Sequence, residues 1–167
     1  MSFNSFLSDT VATVLGGAIL TFLFFLVKEK LYPLPKVAGR WYFETRTRET
    51  AYTPFAGMVL TYVAMIWQEG AVIHGTVEKI HEKSSTGDRG YVGKNRTRST
   101  VEGYIEKLYL SKDRIRIHMV EEGYERESTV MFDLVSDKAS EMSGFFQSMA
   151  ADQTGSVKWQ RNSFSAD

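Results

Sequence analysis

Few residues in this chain have the types and spacing that chemistry needs, and those that do lie far apart in sequence. The three histidines, His74, His81 and His118, share no His-x-x-x-His spacing, and the chain has no cysteine. Neither an imidazole nor a thiolate metal site is expected. The serines fall in no Gly-x-Ser-x-Gly or Ser-x-x-Lys arrangement, so no activated nucleophile is expected, no catalytic residue is assigned and no cofactor is implied. The stretch GDRGYVG (87–93) has the glycines of a phosphate loop but not the Lys-Ser/Thr that must follow them. It reads as a flexible hairpin loop. Glu121 and Glu122 sit beside a tight turn and read as solvated. The chain is therefore not expected to be an enzyme.

A second set of residues suits binding. Thr45, Thr47, Arg126, Ser128, Phe146 and Ser148 offer hydroxyls, a guanidinium and a ring. Guanidinium forks hold phosphate oxygens and aromatic rings stack on bases, so such a lining suits a ligand carrying both. Arg126 has a competing reading, a surface ion pair with Glu102 or Glu125.

Those six residues meet only if the elements that carry them close on one another. Stretches rich in β-branched and aromatic residues alternate with turn signals over 39–49, 57–69, 71–82, 99–111, 113–122, 124–135, 142–151 and 155–162. Several joints are very short: Lys112, Gly123 and Asp152–Thr154. Such joints force antiparallel neighbours, because a parallel crossover needs about a dozen residues. Only 83–98 is that long, and its polar, Gly-rich, basic composition reads as a hairpin loop. The fold class is all-β: eight antiparallel strands in meander order close into an up-and-down, lipocalin-like barrel with room for one small ligand.

Strand alternation then sets the lumen. With Trp41 inward, Phe43, Thr45 and Thr47 follow it, while Arg46 and Arg48 face water. One face of the sixth strand reads Tyr124, Arg126, Ser128, Val130, Phe132; one face of the seventh reads Gly144, Phe146, Ser148, Ala150. Gly39-x-Trp41 on the first strand and Trp159-x-Arg161 on the last match the closure of lipocalin-like barrels, where an arginine packs across an indole. Trp41 and Arg161 are accordingly assigned to barrel closure. The second strand, MVLTYVAMIW, is apolar on both faces, which makes it either a contact surface or a strand covered by the linker or long loop.

In front of the barrel, Thr10 to Val27 carry no charge. At about 1.5 Å per residue the run spans about 27 Å, the thickness of a bilayer's hydrocarbon core. The lysines follow the run and no small-x-small site closes it, so a retained membrane helix is expected rather than a cleaved signal peptide. Asp9 precedes it whereas Lys28, Lys30, Lys36 and Arg40 come after, which places the barrel in the cytoplasm. Ala12 with Gly16, Thr13 with Gly17, and Gly17 with Thr21 form small-xxx-small pairs. Gly16 and Gly17 are either helix-packing positions or residues simply common in membrane helices. Pro33 and Pro35 end the helix. The expected organisation is a transmembrane helix (1–30), a linker (31–38), a barrel sensor (39–162) and a tail (163–167). Basic and acidic residues balance at 20 each, so DNA or RNA is not an expected partner.

VATVLGGAILTFLFFLV, then YPLPKVAGRW, then the hairpins running through GYERESTVMFDL to VKWQRN make the chain resemble a known family. It is similar to the transmembrane β-barrel effectors of CBASS antiphage defence, the SMODS-associated membrane and β-strand-rich family. The resemblance implies a cyclic oligonucleotide ligand made by a CD-NTase, homo-oligomerisation, and disruption of the inner (cell) membrane that kills the infected cell. Family members carry two membrane segments; one is found in this sequence. On the residues alone two other classes stay open: a membrane-anchored lipocalin-like carrier of a small apolar ligand, with a wholly apolar lumen, and a tethered scaffold, with a filled one.

Overall fold

The structure is a computed structural model that describes residues 3–122 and 127–164, with side chains from residue 8 onward. The chain forms two compact units, Met1–Pro33 and Leu34–Asp167.

The first unit is helix α1 (Phe3–Leu26), which continues into a wider, π-helical turn over Val27–Leu31. Apolar side chains project on every side of it; Val14 is 66% exposed and Phe24 68%. A helix apolar all round has no wet face, and Ser8–Leu31 is long and apolar enough to cross a membrane. Two of its threonines are satisfied within it: Thr13 and Thr21 donate to the carbonyls of Asp9 and Gly17, each at 2.8 Å. A Cβ added at Gly16 or Gly17 would meet nothing within 4 Å.

The second unit contains strands β1 (Gly39–Glu49), β2 (Val59–Glu69), β3 (Val72–Ser84), β4 (Gly87–Gly90), β5 (Arg98–Glu106), β6 (Arg114–Glu122), β7 (Glu127–Lys138), β8 (Glu141–Ser148) and β9 (Gln153–Gln160). Apart from β4, each pairs antiparallel with its neighbours in chain order, and β1 pairs with β9. The result is a closed, eight-stranded, antiparallel barrel with no free edge along the ring. β4 is the exception to the expected loop at 83–98. It extends the β3 hairpin outward, pairing His81 with Gly90 through to Ser84 with Gly87.

Several joints differ from their expected lengths, and two of them have a visible cause. β5 stops at Glu106 rather than running to Ser111, because Asp113 gathers the intervening loop. Its carboxylate accepts from Lys107 Nζ at 2.8 Å and from the Leu108 N–H at 3.0 Å. Between β8 and β9 the turn falls at Ala150–Asp152 and β9 begins at Gln153. Ala151 and Asp152 both take left-handed backbone angles there, with φ of 55° and 48°. The turn expected at Gly123 lies outside the described residues.

The core fills one half of the barrel. On one rung Phe43 lies between Trp159 and Tyr62, stacked at 4.1 Å and 4.6 Å, while Phe132 meets Phe43 edge-on at 5.6 Å. Beyond them come Ile73, Ile115, Ile117, Leu134 and Trp41, all buried. At that end the Arg161 guanidinium sits 3.9 Å from the Trp41 ring centre and donates to the carbonyls of Arg40 and Ala38, each at 2.9 Å. Burial there lowers the Arg161 pKa from its ordinary value. Trp41 Nε1 donates to Val37 O at 2.7 Å, so the chain entering from Leu34 is pinned to the same end.

Candidate functional site

The opposite end of the barrel is built differently. The rungs above Phe43 carry Thr45 and then Thr47 on β1, where the closed end carries indoles, and the lumen widens into a cavity of ≈ 230 Å³. Tyr62, the uppermost ring of the stack, forms part of its floor, and Phe146, Met119 and Val130 form apolar walls. Of the residues singled out for binding, Thr45, Ser128, Phe146 and Ser148 line this cavity. Thr47 is buried beside it, and its hydroxyl donates to Gln153 Oε1 at 3.0 Å, which braces β1 against the β8–β9 turn. Gln153 in turn donates to Ala150 O at 2.8 Å. Arg126 lies outside the described residues.

Sequence reasoning missed the charged wall. Lys79, Glu82 and Glu121 all line the cavity. Lys79 Nζ stands 3.6 Å from Glu82 Oε2 and 3.4 Å from Glu121 Oε1. Residues three apart on a regular strand face opposite sides. Lys79 and Glu82 share the lumen because β3 bulges at Ile80: Tyr62 pairs with Lys79 but the preceding Thr61 pairs with His81. A bulge re-aims the side chains that follow it, and no residue type at 79–82 announces one. Glu121 corrects an expectation: it is not solvated, its side chain being only 16% exposed and turned inward, whereas Glu122 faces out. Alternation from Ile115, Ile117 and Met119 could have placed it inside.

The electrostatics follow from that wall. One ammonium faces two carboxylates, a formal charge of −1. Burial, and after it the charges of Glu121 and Glu82, push the Tyr62 hydroxyl well above its ordinary pKa, so it stays protonated as a donor. At the rim the Tyr91 hydroxyl donates to Glu82 Oε2 at 3.1 Å, and Lys79 lies 5.4 Å from the Tyr91 ring centre. Burial and that bond raise the Tyr91 pKa too.

Beside the mouth runs an open groove of ≈ 560 Å³ lined by Gly93–Arg98 and Glu122. It shares a wall with the cavity, since the Lys79 N–H donates to Thr97 O at 3.1 Å and Glu122 follows Glu121. Here the sign reverses: Lys94, Arg96 and Arg98 face one carboxylate. Arg96 and Arg98 are steadied by Glu78 at 3.0 and 3.6 Å, and Lys94 makes no ion pair among the described residues. Two of the three histidines are spent elsewhere, His81 on Asp88 at 2.6 Å and His74 stacked on Trp67. No group of three or more metal-ligating side chains occurs among the described residues.

Fold and site together define a class: a closed eight-stranded β-barrel with a polar-mouthed internal cavity, carried behind one apolar helix. No protein-family model matches the chain and no curated protein does. Among solved structures it is similar to designed barrels. A redesigned β-barrel superposes with a TM-score of 0.53 at 8% identity, over 76% of this chain and 92% of that one. EF1p2_mFAP2b bound to DFHBI gives 0.55 at 7% identity, over 75% and 94%. The redesigned barrel mFAP1, also bound to DFHBI, gives 0.52 at 6% identity, over 75% and 94%. At these identities the likeness is one of fold.

Proposed function

We propose that this chain is a membrane-tethered sensor whose barrel binds a cyclic oligonucleotide, with the base in the cavity and phosphates on the basic groove. In this reading it is an antiphage effector of the CBASS type that oligomerises on binding and disrupts the inner membrane. The observation that carries the proposal is the pairing of a ring-lined cavity with a cationic groove on the other side of the Lys79–Thr97 wall. A cavity of ≈ 230 Å³ admits a single ring system, below the roughly 300 Å³ at which drug-sized pockets begin. The remainder of a larger ligand must lie outside it. Phe146 and Tyr62 offer stacking surfaces, Thr45, Ser128 and Ser148 offer hydroxyls, and Lys94, Arg96 and Arg98 suit phosphate oxygens. Designed barrels of this fold are bound to DFHBI, which supports a small-molecule role for the lumen. Charged groups in the wall argue against the apolar-carrier alternative, and the cavity itself argues against a filled scaffold.

The apolar helix is the output end. Lys28, Lys30, Lys36 and Arg40 favour a single-pass insertion with the barrel in the cytoplasm. Ligand would favour a barrel state that adheres to its copies, concentrating the helices side by side. Met65 and Trp67, each about half exposed on the outer face of β2, offer an adhesive patch. The test is a thermal-unfolding series on the full chain in detergent with cyclic di- and trinucleotides. Ligand at a hundredfold excess over Kd adds about 2.7 kcal/mol, a rise of several degrees in Tm. No rise with any of them sinks the proposal.

A further inference from the structure

The carboxylates of the cavity restrict what part of a ligand enters it. A phosphate offered to this wall meets Glu82 and Glu121 against the one ammonium of Lys79, itself 3.6 and 3.4 Å from them. Charge therefore sends anionic groups to the groove and selects for the cavity a ring edge rich in N–H donors. The two carboxylates are not equivalent. Glu82 already accepts the Tyr91 hydroxyl and sits at the rim. Glu121 lies deeper, at the floor, where it pairs in register with Ser99, takes the Tyr62 hydroxyl as a neighbouring donor and has Oε1 3.4 Å from Lys79. Ser99 is 4% exposed, and its hydroxyl has no hydrogen-bond partner among the described residues.

We infer that the cavity reads the donor edge of a base, with Glu121 accepting an adjacent ring N–H and exocyclic amino group as a fork. Guanine presents that pair side by side. Uracil presents one N–H between two carbonyl oxygens, which would face the carboxylate with like charge. Adenine and cytosine, with an amino group beside a ring acceptor, fall between. The inference rests on the nucleotide reading only in assigning the rest of the ligand to the groove; the fork itself needs no phosphate.

The experiment is calorimetry on the full chain in detergent with two matched pairs, cyclic di-GMP against cyclic di-UMP and guanosine against uridine. The guanine member of each pair binds about tenfold or more tighter, the discrimination a good bidentate contact supplies. Glu121→Gln, whose amide offers a donor where the fork needs an acceptor, removes that preference by weakening the guanine ligands, while cyclic di-UMP, freed of the like charge, binds no more weakly than before. Equal affinities within both pairs overturn the inference, as does a Glu121→Gln loss of the same factor for guanine and uracil. If guanosine outbinds uridine while neither cyclic dinucleotide binds, the assignment of phosphates to the groove falls and the donor-edge reading stands. If none of the four binds, both fall.

Discussion

The two ends of the barrel obey the same alternation and are put to opposite uses. On β1 the inward positions run Trp41, Phe43, Thr45, Thr47, from indole to hydroxyl across four positions. On β9 they run in reverse, from Gln153 through Gly155 and Val157 to Trp159. The aromatic end is dry, stacked and clasped by Arg161. At the mouth end the lumen holds a lysine, two glutamates and several hydroxyls around open volume. Burying polar groups costs stability unless they are paired, so the mouth is where the fold gives up cohesion. The aromatic half compensates, since stacked and edge-on rings add about 0.5–1.5 kcal/mol per pair beyond their area.

The comparison can be broken most directly at Phe43. Its ring touches Trp159, Tyr62 and Phe132 and is fully buried, so Phe43→Ala should cost about 3–5 kcal/mol in chemical denaturation. Phe146→Ala, at the cavity wall, should cost less by at least about 1 kcal/mol, because the space beside it is already open. Equal losses would mean that the two halves do not divide the work. Next in size is Arg161. Arg161→Ala removes the contact with Trp41 and leaves the carbonyls of Arg40 and Ala38 without that donor. The expected loss is about 1–2 kcal/mol. Arg161→Lys should recover part of it, since an ammonium keeps the charge but not the fork that reaches both carbonyls. Full recovery by lysine would show that charge over the indole is all that matters.

Much of the aromatic end was legible in sequence, and the mouth much less. Gly39-x-Trp41 and Trp159-x-Arg161 mark the first and last strands because a flat indole and a guanidinium make a recognisable closure, and period-two alternation carried Phe43, Thr45, Ser128 and Phe146 to their faces. What escaped depends on departures from that period. The bulge at Ile80 turns Lys79 and Glu82 to one side, and it reflects how β3 meets β2 rather than anything local to 79–82. Glu121 was hidden by its partner in sequence: a Glu-Glu pair next to a glycine looks like turn chemistry, yet only Glu122 faces out. Strand β4 lay in a stretch of Gly and charge that carries no hydrophobic pattern, since its residues are all exposed. The strand ends at 106 and 153 were set by side chains reaching back, Asp113 to Lys107 and Gln153 to Ala150, which no window of propensity contains.

The smallest expected effect lies outside the barrel wall, where Asp137 of β7 clasps the loop between β5 and β6. Lys112 Nζ stands 2.8 Å from Asp137 Oδ1, and Ser143 donates to Oδ2. These two bonds hold the Asp137 carboxyl below its ordinary value of 3.8. A carboxyl whose pKa is depressed by folding stabilises the protein fully above its unfolded value. That stabilisation disappears as pH falls through the lower, folded value. The group is a third exposed, which screens the pair, so the contribution at neutral pH should be below about 1 kcal/mol. Asp137→Asn should lower Tm slightly at pH 7 and converge with the parent chain in acid, below the folded-state value. A parallel offset at both pH values would assign the effect to packing of the turn instead. Because the clasp joins loops at the aromatic end, its loss should leave ligand binding at the mouth unchanged; a coupled change in affinity would mean that the two ends communicate through β7.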